Sequence, residues 1–112
     1  MNHDDKLDLI YQAYPRHRNR RQALAQIDRS LRRVQAGECG KKNLCESAAW
    51  AFLLDRTKAF AQSWAGNRGH YTPLPGTWFN RSGYLDDENE WDLVTREEYI
   101  QISNQREAAI GR

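Results

Sequence analysis

Residues Asn19–Gly37 read NRRQALAQIDRSLRRVQAG, and this stretch decides the fold. Leu24, Ile27, Leu31 and Val34 recur at i, i+3, i+7 and i+10, the spacing of one narrow apolar stripe on a helix. Arg18, Arg21, Arg29, Arg32 and Arg33 fall on the opposite side of the helical wheel. Asn19 is a good N-cap residue type and Gly37 a natural C-terminal stop, so the pattern predicts a helix to about Ala36. A helix with one buried stripe has to be covered by other elements.

The flanking sequence supplies helices for that purpose. Leu7, Ile10, Tyr11 and Tyr14 repeat at helical spacing behind the acids Asp4 and Asp5, which predicts a helix from about Asp4 to Tyr14, stopped by Pro15. A third runs from about Glu46 to Ala65, with Trp50, Leu53, Leu54, Thr57, Ala61 and Trp64 on one face and Phe52 and Phe60 widening it. Gly66-Asn67-Arg68-Gly69 ends it. Thr95-Arg96-Glu97-Glu98 has capping-box spacing and predicts a last helix to about residue 110. The only strand candidate is His70-Tyr71-Thr72. The expectation is an all-α, single-domain bundle of about four helices over residues 1–112, with its core in 9–92.

Between the third and last helices lies Tyr71-Thr72-Pro73-Leu74-Pro75-Gly76-Thr77-Trp78-Phe79-Asn80. Each proline fixes φ, removes an amide donor and pushes its predecessor out of the α region. The segment is therefore an ordered loop, with a short helical turn after Pro75. Pro75, Trp78, Phe79 and Asn80 are expected to anchor it, the aromatic pair by entering the core and Asn80 by satisfying loop amides. Tyr71 and Tyr84 are expected to keep their hydroxyls at the surface, where a ring can stack on a base or a partner.

Bulk properties narrow the function. With 11% aromatic residues the chain is not disordered, and no apolar run reaches the roughly 20 residues of a membrane span. The N-terminus lacks a signal-peptide pattern, so a cytoplasmic protein is expected. Cys39 and Cys45 have no second pair with which to build a zinc site and are expected to be free thiols. Asp86, Asp87, Glu88, Glu90 and Asp92 lack the spacing of an EF-hand and read as a solvated acidic turn. No phosphate loop, nucleophile elbow or metalloprotease helix is present, so neither enzymatic activity nor a metal or cofactor is expected, and a small-molecule ligand is not foreseen.

Charge is the stronger lead. A net charge of +2 conceals −2 over residues 1–15, +7 over 16–45 and −4 over 81–112. Arg16, Arg18, Arg20, Arg21, Arg29, Arg32 and Arg33, with Lys41 and Lys42 in the following loop, form a stripe suited to phosphates or to an acidic protein surface. The competing reading is that these arginines pair with the acidic C-terminal region.

The order of features also resembles a module of bacteriophage and prophage replication proteins, of the initiator or helicase-loader type. The likeness rests on Tyr14-Pro15-Arg16 ahead of a basic helix, on Lys58-Ala59-Phe60-Ala61-Gln62-Ser63-Trp64, and on the closing Pro73-Leu74-Pro75-Gly76-Thr77-Trp78-Phe79-Asn80, continuing to Tyr84, Asp86 and Trp91. The resemblance implies work in DNA replication, on single-stranded or duplex DNA or beside a replication protein such as the replicative helicase, in a bacterial host cell. In relatives the module follows a DNA-binding domain, and here it is expected to act without one. His17-Arg18-Asn19-Arg20 replaces the usual Gly-Lys, and a cysteine-containing insertion separates the long helices. The alternative expectation is a small phage or mobile-element protein that binds and inhibits a host complex, such as a defence protein.

Overall fold

The computed structural model describes residues 2–41, 43–68 and 72–93, with the side chains of residues 92 and 93 left aside. Over these residues the chain is all-α: α1 (His3–Ala13), α2 (Arg20–Gln35), α3 (Glu46–Gln62), α4 (Pro75–Asn80), a 3-10 turn (Gly83–Leu85) and α5 (Glu88–Leu93). No described residue forms a strand. The expected last helix lies outside the described residues, as do His70 and Tyr71 of the strand candidate.

Each helix end has a chemical cause. Asn2 caps α1 by accepting from the Asp5 amide at 2.8 Å, and α1 ends as Pro15 follows Tyr14. Asn19 holds the N-cap place of α2 without its expected side-chain bond. It is instead left-handed, at φ 51°, a region asparagine tolerates, and its carbonyl accepts from the Ala23 amide. At the other end Gly37 takes φ 115°, which lets the Glu38 amide reach the Arg33 carbonyl and the Gly37 amide reach that of Val34. Those two bonds are a Schellman closure.

α3 stops at Gln62, three residues before the expected end. The Ser63 hydroxyl accepts from the Gly66 amide and sits 2.6 Å from the Phe60 carbonyl, so the chain folds back on the last turn. Its buried line is Ala49, Leu53, Thr57 and Phe60, which moves the expected face around the helix: Phe60 is central, while Trp50 and Leu54 are only partly buried. Apart from an exposed side carrying Ser47, Asp55, Lys58 and Gln62, α3 is mostly apolar, so its periodicity alone did not locate the inner face.

The core converges on Trp78 of α4. Its ring lies 4.7 Å from Phe60, 5.4 Å from Tyr14, 4.9 Å from Phe79 and 6.3 Å from Trp91, centroid to centroid. Trp78 and Phe79 are fully buried and Pro75 opens α4, so these three anchor the loop as expected. Asn80 is exposed and anchors nothing.

Two distant stretches hold the loop in place. The Tyr14 hydroxyl donates to the Pro73 carbonyl at 2.6 Å, and Arg16 donates to the Thr72 carbonyl at 2.8 Å. Thr72 is itself buried; its hydroxyl accepts from the Arg68 amide and lies within bonding distance of the Ala65 and Gly66 carbonyls. Tyr-Pro-Arg and Thr-Pro-Leu-Pro, far apart in the chain, thus form one hydrogen-bonded unit.

The acidic turn is a structured element and not simply a solvated one. Asp86 is 2% exposed and pairs with the equally buried Arg81 at 3.6 Å. Glu88 begins α5 and binds Arg56 at 2.9 Å. Arg56 also donates to the carbonyls of Tyr84 and Asp86, and its guanidinium covers the Trp91 ring at 4.7 Å. One α3 arginine therefore ties the 3-10 turn and α5 to the bundle.

Candidate functional site

α2 presents its apolar stripe inward: Ala23, Ile27, Leu31 and Val34 are buried, with Leu24 at the margin. At about 100° per residue, Arg21, Arg32, Ala25 and Arg29 then fall within an arc of about 80° on the outer face. All four are exposed. One flank of this arc packs on α4, where Gln22 lies near Gly76 and Ser30 contacts the Phe79 carbonyl. The other carries Asp28 toward α1 and α3.

The structure divides the nine expected basic residues by what they touch. Arg16 and Arg33 leave the set as structural residues. Arg16 is half-buried against Thr72. Arg33 donates to the Phe79 carbonyl at 2.7 Å, to Ser30 Oγ at 3.0 Å, to the Tyr84 hydroxyl at 3.3 Å and to Glu38 at 3.3 Å. On the wheel it lies between Arg29 and Ser30, on the side that borders α4, whose last carbonyls need donors.

Arg20 and Arg32 are intermediate cases. Arg20 pairs with Asp8 of α1 at 2.9 Å and Arg32 with Asp28 at 3.0 Å, yet their side chains remain 57% and 76% exposed. Such surface pairs are weak and keep most donors in water. Arg18, Arg21 and Arg29 are exposed and make no ion pair among the described residues. Arg18 stands before the left-handed turn at Asn19, which takes it off the helical register. Lys41 is exposed, and Lys42 lies outside the described residues. A recess of about 560 Å³, lined in part by Asn19, Arg20, Arg21, Gln22 and Ala25, opens at the N-terminal end of the face. In the acidic segment, Glu88 pairs with Arg56 and Asp86 with Arg81.

Tyr84 is a correction. It is fully buried, so its ring offers no stacking surface. Its hydroxyl and that of Ser82 both donate to the Glu38 carboxylate, which also holds Arg33. Burial pushes the Tyr84 hydroxyl above its ordinary pKa, and the bond to Glu38 acts in the same direction. The proton it donates is therefore retained well into the alkaline range. Tyr71 lies outside the described residues.

Sequence reasoning passed over Arg56, Arg81 and His3. The signal for the first two was available: an arginine inside an apolar helix and an acidic run with no assigned counter-charge. His3 Nε2 lies 2.8 Å from Asp28 and Nδ1 3.3 Å from Glu46, joining the starts of α1 and α3 to α2. Cys39 and Cys45 are free, and Cys45 caps α3 through its sulfur, 3.4 Å from the Ala48 amide. Among the described residues no group of three or more His, Cys, Asp or Glu is placed to hold a metal ion. No described helix is long and apolar enough to cross a membrane.

Against known proteins, the chain matches no family model, no curated protein and no solved structure.

Proposed function

We propose that this chain is a non-enzymatic binding module that neutralises nucleic-acid phosphates through the exposed arginines of α2, in the DNA replication of a phage or mobile element within a bacterial cytoplasm. The observation that carries this reading is the outer face of α2, where Arg21 and Arg29 project from one arc with no internal ion pair. Arg32 shares the arc and stays 76% exposed beside Asp28, and Arg18 is exposed just ahead of the helix. Folding does not need these guanidiniums, so their charge is available to a partner. The replication setting rests on the resemblance of Tyr14-Pro15-Arg16 and the Pro73–Asn80 stretch to phage replication modules. The hydrogen bonds between those two stretches support reading them as one motif.

The test is binding of labelled oligonucleotides across salt. Three to four neutralised phosphates predict that affinity for a duplex falls about 40- to 150-fold between 50 and 200 mM salt. Arg21→Glu with Arg29→Glu should abolish binding while leaving the helical circular dichroism unchanged. A chain that binds no oligonucleotide at low salt overturns the reading. In that case nuclease-resistant capture of an acidic host protein by the same face, lost in the same double variant, would support the inhibitor alternative. The Asp8 and Asp28 carboxylates beside the arginines favour that alternative, because they limit the net positive charge offered to a polyanion.

A further inference from the structure

We infer that α2 docks as a helix edge across the major groove of duplex DNA, with Arg21 on one phosphate wall and Arg29 and Arg32 on the other. This rests on the nucleic-acid reading above and adds the ligand's form and the docking geometry. At about 1.5 Å rise per residue, Arg21 stands about 12 Å from Arg29 and about 16.5 Å from Arg32 along the helix axis. The major groove of B-form DNA is about 12 Å wide, so guanidiniums at these spacings reach both walls at once.

The residue between the two ends of the stripe is Ala25. It sits at the middle of the arc and is exposed, so the helix surface there has no bulk to hold it out of a groove.

Single strands are the poorer fit because the described residues of the face include no aromatic stacking platform. Sequence-tolerant binding of unpaired bases draws much of its energy from aromatic side chains. Here Tyr11, Tyr14, Phe60, Trp78, Phe79, Tyr84 and Trp91 are buried. Of the partly buried rings, the Trp50 indole donates to the Lys6 carbonyl, Phe52 packs edge-on to Tyr84, and Trp64 is covered by Arg68 at 3.7 Å. None of these described rings belongs to α2. Duplex RNA fits poorly for another reason: its A-form major groove is deep and narrow.

The experiment compares one 20-base-pair DNA duplex, its single strands and the matching RNA duplex in competition at 50 mM salt. The expected result is at least tenfold preference for duplex DNA, together with protection of guanine N7 from dimethyl sulfate. Ala25→Glu, which sets a carboxylate between the walls, should weaken duplex binding at least tenfold without changing the thermal midpoint. Single strands or RNA binding as tightly as duplex DNA would overturn the docking geometry while leaving phosphate binding intact. So would duplex binding without N7 protection, or an Ala25→Glu variant that binds normally. Failure of all three nucleic acids to bind would overturn the underlying reading as well.

Discussion

Gly83 lies against the Trp78 indole so closely that a Cβ there would overlap its Nε1, Cδ1 and Cε2 atoms. The indole has no room to give, because Tyr14, Phe60 and Phe79 pack around it and the residue is fully buried. Gly83→Ala is an overpacking change and should cost about 1–3 kcal/mol. The measurement is urea unfolding: the midpoint should drop while the slope stays constant, and an unchanged midpoint would mean that the ring can move. Gly66 poses the same problem in a harder form, since the overlapping atoms are the Phe60 carbonyl of the α3 backbone. These glycines follow from close approach, which residue type alone does not reveal.

The arginines of α2 show how one helix carries two tasks. Arg33 donates to the Phe79 carbonyl at the end of α4 and to Glu38 beyond its own C-terminus, so it joins α2, α4 and the 3-10 turn. Arg29, four residues earlier, touches none of these. Arg33→Ala should therefore destabilise by about 1–3 kcal/mol, because it strips donors from half-buried acceptors. Arg29→Ala should stay within about 0.5 kcal/mol of the parent. Thermal unfolding of the two variants separates the roles, and equal losses would contradict the division. From sequence the two residues looked alike: both lie outside the Leu24–Val34 stripe, and only the position of α4 tells them apart. α2 was legible because its apolar stripe is narrow. The inner face of α3 was not, because its apolar residues spread over a wide arc in which Phe60 competes with Trp50 and Trp64 for the core. α5 was hidden for the opposite reason. Its acids and Asp86 before it read as a solvated turn until Arg56 meets Glu88 and Arg81 meets Asp86. The Tyr84 hydroxyl looked like a surface group for want of any sign that Glu38 would accept its hydrogen bond.

Across the described residues, opposite charges fasten packed elements to one another: Asp8 to Arg20, Glu88 to Arg56 and Asp28 to His3. His3 is the clearest case, standing where the starts of α1 and α3 meet the middle of α2. Its hydrogen bond to Asp28 raises its pKa, partial burial opposes this, and the bond to Glu46 raises it further. Arg32, on the outer side of Asp28, shares that carboxylate. A histidine whose folded pKa lies above its unfolded value of 6.5 binds its proton more tightly in the native state. Its contribution to stability is thus complete below pH 6.5 and is lost as pH rises through the raised folded value. His3 is about half exposed, so solvent screens the pair and the effect is small. Subtracting the thermal midpoint of His3→Gln from that of the parent between pH 5.5 and 8.5 isolates it from the other titrating groups. The difference should favour the parent at the acid end and shrink toward zero at the alkaline end. A difference independent of pH would show that His3 holds the three helices together by packing and neutral hydrogen bonding alone.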